Sequence, residues 1–150
     1  MLCSFIENQE IGFYKNIYKR YYCKKTIVTF DRISVKFYVD TFEHAFYESR
    51  SRRDKDKLLF SYKRANRIYW IKWVLQNPKA ELYTGYNSKT KSYDKSRRVA
   101  ICVDNYAVII GLKRDDDTKA KFITAYVADG VNGKGQKAIE LIKKGKKWNR

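Results

Sequence analysis

Ile33, Val35, Phe37 and Val39 alternate with Ser34, Lys36 and Tyr38, the period-two pattern of a strand with one buried face. Ile27 to Phe30 reads as a shorter strand before it. Upstream, Tyr14, Tyr18 and Tyr21 or Tyr22 recur at helical spacing and predict one short helix. Ser61 can cap a helix that runs to Asn77, where Pro78 stops it, with Ile68, Ile71 and Leu75 as its apolar stripe and Trp70 and Val74 widening it. Beyond Pro78 the pattern turns to β. Candidate strands are Ala80 to Tyr86, Arg98 to Val103, Tyr106 to Lys113 and Lys119 to Val127. Asp104-Asn105 is a hairpin turn and Arg114 to Asp117 a polar one. Gln136 to Lys144 predicts a last helix, and the runs 49–57 and 87–96 read as polar loops. Helical material early and a strand meander late gives α+β, an antiparallel sheet with helices on one face.

Composition narrows the partner more than the fold. Lys and Arg total 33 against 16 acidic residues, a formal net charge of +17. That balance points to a polyanion: nucleic acid, an anionic surface or an acidic protein. Aromatics make up 16% of the chain, too many for a disordered basic tail. A single Pro and 7 Gly leave little room for linkers, so 1–150 reads as one basic domain ending in a basic tail, 143–150. Cys3, Cys23 and Cys102 form no CxxC pair, and His44 is the only histidine, so neither a disulfide framework nor a metal site is expected. Glu7 and Glu10 interrupt any apolar leader, which leaves the expectation of a cytoplasmic protein without a membrane segment or cofactor.

Three places can carry chemistry. His44 lies where the strand pattern ends, and an imidazole exchanges protons near neutral pH; a structural histidine between Phe42 and Phe46 is the plain alternative. Arg64 falls in register with Ile68, Ile71 and Leu75, on the face that should meet the sheet. A guanidinium there must reach the rim or pair with an anion, either a phosphate or Glu43 or Glu48. Alternation along Lys121 to Tyr126 puts Phe122, Thr124 and Tyr126 on one face, where two hydroxyls could meet phosphate oxygens. Asp115-Asp116-Asp117 reads as a hairpin loop. The basic loop at 87–98 and the tail could contact a sugar-phosphate backbone, with exposed tyrosines stacking on unpaired bases.

Taken in order, Phe42-x-His44-Ala45-Phe46, Ser61-x-x-Arg64-Ala65-x-Arg67-Ile68-x-Trp70-Ile71 and Phe122-Ile123-Thr124-Ala125-Tyr126 resemble a known pattern. It is that of the metal-independent RNase superfamily grouping barnase, EndoU, colicin-type tRNases and RelE, and most of all its phage-associated branch. The resemblance covers roughly 33–130, the nuclease-like core. It implies a helical N-terminal part and a helix packed on a four-stranded antiparallel sheet. It also implies a toxin-like or phage-encoded endoribonuclease cleaving RNA, with tRNA a candidate, by 2′-hydroxyl attack on the adjacent phosphate. His44, Arg64, Thr124 and Tyr126 would be its catalytic residues, and Arg67, Lys63, Lys121, Arg97 and Arg98 its substrate-binding ones. A second proton carrier would have to be a Tyr, a Lys, Glu43 or Glu48. An acidic inhibitor or antitoxin would be a natural partner. The alternative is a non-catalytic RNA- or DNA-binding module of the same fold.

Overall fold

Three tyrosines at helical spacing do build the first element. The computed structural model, which describes residues 4–49, 59–87, 92–93, 97–145 and 147–148, opens with α1 (Ile11–Ile17) and a π-helical turn (Tyr18–Tyr22). Tyr14, Tyr18 and Tyr22 are fully buried, while Tyr21 is exposed. Each buried hydroxyl finds a partner: Tyr18 donates to the Tyr38 carbonyl at 2.7 Å, Tyr22 to that of Ile68 at 2.5 Å, and Tyr14 to Asn66 Oδ1. A buried phenol needs such a partner to offset its desolvation.

Next come β1 (Ile27–Val28) and β2 (Ser34–Lys36), a hairpin closed by Thr29, whose Oγ1 accepts from Ile33 N at 2.9 Å. The strand predicted to Val39 stops at Lys36, because the Tyr38 carbonyl is taken by Tyr18 and by Thr41 N as the chain turns into α2 (Thr41–Phe46). There follow β3 (Tyr47–Glu48), β4 (Leu59–Phe60), α3 (Tyr62–Ala65) and α4 (Ile68–Leu75). Ser61 caps as expected, its Oγ accepting from Arg64 N. The single helix predicted from Ser61 to Asn77 is instead broken at Asn66 and Arg67. Asn66 is a buried hub: its side chain holds Tyr14 and Asn8, and its carbonyl accepts from Ile6 N at 2.9 Å rather than continuing the helix.

The remaining elements are β5 (Glu81–Thr84), β6 (Tyr86–Asn87), β7 (Ser92–Tyr93), β8 (Arg98–Val103), β9 (Tyr106–Lys113), β10 (Asp116–Val127) and α5 (Ala138–Lys143). Asp104, at φ 53°, makes the β8–β9 turn in a left-handed conformation that Asp tolerates. The run 49–57 lies outside the described residues except Ser49, as does most of 87–96.

The fold is α+β, but its main sheet has six strands, not four, in the order β1-β2-β10-β9-β8-β5. β2 is parallel to β10 and every other pairing is antiparallel. The extra strands follow from burial, since Ile27 and Val35 reach the core only by extending the outer edge of β10. One sheet face carries the large core, where Phe37 stacks on Phe122 at 4.7 Å and Tyr22 packs on Phe37 at 4.8 Å. The N-terminal segment is thus part of the same core as the sheet. Helices do not keep to that face: α5 sets Ile142 over Tyr83, Cys102 and Ala107 on the other. Nor is the basic tail wholly free. Trp148 N donates to the Leu82 carbonyl at 3.0 Å, and Lys143 and Lys147 each lie 3.7 Å from Glu81. Among the described residues no helix is long and apolar enough to cross a membrane.

Candidate functional site

One stretch, Thr41 to Ala65, brings the first candidates together. In α2, Phe42, Ala45 and Phe46 point inward at helical spacing, which leaves Glu43 and His44 on the solvent side. His44 is therefore not the core histidine that its aromatic neighbours allowed, and it stands on a helix rather than at a strand end. β3 pairs with β4 (Tyr47 with Phe60, Glu48 with Leu59), and Ser61 N donates to the Phe46 carbonyl at 2.7 Å. This hairpin returns the chain so that α3 lies beside α2, with Arg64 facing α2 and β10.

The outer edge of β10 explains why a guanidinium fits there. β2 covers that edge only at Lys119, Ala120 and Lys121; farther along, α2 and α3 pack against it. Arg64 reaches this uncovered edge with its side chain only 18% exposed. Its Nη1 donates to the Ala45 carbonyl at 3.2 Å and to Thr124 Oγ1 at 3.4 Å. Its Cζ is 5.5 Å from the centre of the Tyr126 ring. Nε lies 3.5 Å from Glu48 Oε1, within ion-pair reach, yet makes no hydrogen bond among the described residues. Of the partners the sequence left open, phosphate or Glu43 or Glu48, the chain itself supplies Glu48.

Phe122 does not share a sheet face with Thr124 and Tyr126 as strict alternation required. The register slips between Phe122 and Thr124, with Phe122 opposite Ile110 and Thr124 opposite Ile109, so Ile123 is an extra residue in a β-bulge. Phe122 and Ala125 then face the large core, while Ile123 and Tyr126 face the side of α5. Thr124 and Tyr126, opposite Ile109 and Ala107, keep a common face, and Arg64 touches both at the strand's edge. Burial raises the Tyr126 pKa above the usual phenol value, an effect that the Arg64 and Arg98 charges partly offset. The hydroxyl thus stays protonated near neutral pH and is able to donate. Burial also lowers the Arg64 pKa, against the opposing pull of Glu48.

The other candidates scatter. Lys63 pairs with Asp129, tying α3 to the loop after β10. Arg67 donates to the Lys63 carbonyl at 2.6 Å and lies against the Phe5 and Trp70 rings, at 5.1 and 5.0 Å, so its described contacts hold the N-terminal segment. Lys121, Arg97 and Arg98 line the open sheet face instead, where Arg97 is 3.6 Å from Asp117. Sequence reasoning missed Lys36, Tyr38, Lys113 and Lys119, which line the same face. The signal was present: each occupies or adjoins the polar position of an alternating strand. Compared with protein families, curated proteins and solved structures, the chain matches none.

Proposed function

We propose that the protein is a metal-independent endoribonuclease whose reaction centre is Arg64. The observation that carries this reading is a nearly buried guanidinium whose Nε makes no hydrogen bond among the described residues, flanked by the Thr124 hydroxyl, the Tyr126 ring and the Glu48 carboxylate. A stabiliser of developing phosphate charge needs fixed donors in a site of low water content. Arg64, Thr124 and Tyr126 would hold the pentavalent phosphate. Of His44 and Glu48, one removes the proton of the 2′-hydroxyl as that oxygen bonds to phosphorus. The other returns a proton to the departing 5′-oxygen, which leaves a 2′,3′-cyclic phosphate. The resemblance to the barnase–EndoU–colicin–RelE superfamily is the further support, and tRNA is the first substrate to try. A chain of net charge +17 that cuts RNA in its own cell would be held in check by an acidic inhibitor or antitoxin.

The test is cleavage of tRNA and mixed RNA in excess EDTA. Wild type should cut, Arg64→Ala should lose about 10²–10³-fold, and His44→Ala or Glu48→Gln should lose at least about 10²-fold. Absence of cleavage by wild type, or a strict need for added metal, overturns the proposal. One observation favours a second reading, a basic module that binds nucleic acid without cutting it: the two basic hollows of the sheet face are lined by neither Arg64 nor His44. Binding without cleavage under every condition would establish that reading.

A further inference from the structure

On the sheet face away from the large core, α5 covers only the end near Tyr83, Cys102 and Ala107. The other end is an open groove of 720 Å³ across β2, β10 and β9, which runs into a second hollow of 460 Å³ beside Arg98. Gly111, Leu112 and Lys121 line both. Strand alternation builds this groove. Val35, Ala120 and Leu112 turn into the core, so Lys36, Lys119, Lys121 and Lys113 turn out. Among the described residues four lysines and three arginines line the two hollows, and no carboxylate does. Nearby, Asp117 pairs with Arg97, and Asp116 is engaged by Thr118. At the floor Gly111 keeps the junction open, since a Cβ there would stand 3.1 Å from Ile123 Cδ1. Tyr38, 48% exposed, sits on the rim with Lys36 Nζ 4.9 Å from its ring centre.

We infer that this groove binds the sugar-phosphate backbone of a single-stranded nucleic acid, with Tyr38 stacking on an unpaired base. The inference rests on the preceding reading only for the class of partner, and it requires no cleavage. Cations on four neighbouring strands span roughly 14 Å, three strand spacings, enough for a few phosphates of one strand. A duplex keeps its bases stacked and paired and offers no base face to Tyr38.

The experiment is fluorescence anisotropy with a short 2′-O-methyl RNA, which has no free 2′-hydroxyl to attack, and with a duplex of the same sequence. Single-strand binding should weaken steeply with salt, by about 0.7 in log–log slope per phosphate contact. The triple variant Lys36→Ala, Lys119→Ala, Lys121→Ala should flatten that slope by about 2 and weaken binding at least tenfold. Tyr38→Ala should weaken single-strand binding roughly 5- to 100-fold and leave the salt slope unchanged. Lys134→Ala with Lys137→Ala, exposed lysines elsewhere, should change nothing. Wild-type affinity in the triple variant overturns the inference, and so does a duplex bound as tightly as the single strand. Binding by this probe together with a failure to cut ordinary RNA overturns the nuclease proposal and leaves the groove standing.

Discussion

Arg64 balances a desolvated charge against three polar contacts, and the contacts differ in what removing them should do. The Ala45 carbonyl and Thr124 hydroxyl fix the guanidinium against the fold. Glu48, its side chain 48% exposed, supplies an ion pair that solvent screens, so Glu48→Gln should cost less than about 1 kcal/mol of stability. If Glu48 moves a proton, the same variant should lose cleavage far beyond that, and paired melting and rate measurements separate the two effects. Cys102 shows the opposite case of a group made inert by its surroundings. It is 1% exposed, and burial pushes its thiol pKa up to about 12, so almost none is thiolate near neutral pH. Iodoacetamide should leave Cys102 unmodified in the native protein and label it readily in denaturant, as peptide mass spectrometry would report.

At the scale of elements, the proposed centre around Arg64 depends on short pieces held by side chains rather than by helix length. α3 is one turn long, far too short to be stable alone, and Arg64 sits on it. Ser61→Ala removes its cap and should cost about 1 kcal/mol; on the proposed function, cleavage should fall by a larger proportion, because the cap fixes the turn that aims Arg64. Asn66→Ala should be worse, roughly 2–3 kcal/mol by urea unfolding, because it deletes a buried amide's hydrogen bonds to both the Tyr14 hydroxyl and Asn8. These pieces also mark where the sequence was legible. The Ser61 cap, the Asp104-Asn105 turn and the three long strands follow from local chemistry, and each formed close to where its residues placed it. The break at Asn66, the early end of β2 and the bulge at Ile123 did not, since each is decided by a distant partner: the N-terminal segment, Tyr18, and the offset between β9 and β10. His44, Arg64, Thr124 and Tyr126 could be named as candidates from the sequence, but the arrival of Arg64 at the edge of β10 needs the sheet order.

Across the whole molecule, charge and buried phenols set how the protein should respond to its solvent. Salt screens the self-repulsion of a +17 chain, so relief of about 1 kcal/mol would raise Tm by roughly 2–4 °C. The same salt would weaken the proposed nucleic-acid binding through counterion release. Stability and affinity should therefore move in opposite directions along one salt titration. The pH response has a definite sign as well. Burial raises the Tyr18 pKa, raises Tyr83 from 10.0 to about 12 with help from Glu81, and raises Cys102 from 9.0 to about 12. In each case the folded state holds its proton more tightly than the unfolded chain. The stability tied to these groups is thus complete below pH 9.0, where both states are protonated. It falls as pH rises from there toward 12, because the unfolded chain ionises first. Thermal melts should hold nearly level between neutral pH and 9.0 and then decline steeply. Tyr83→Phe, which removes one of the raised phenols while keeping its ring, should make that decline shallower, and a decline of unchanged steepness would count against Tyr83 as one of its sources.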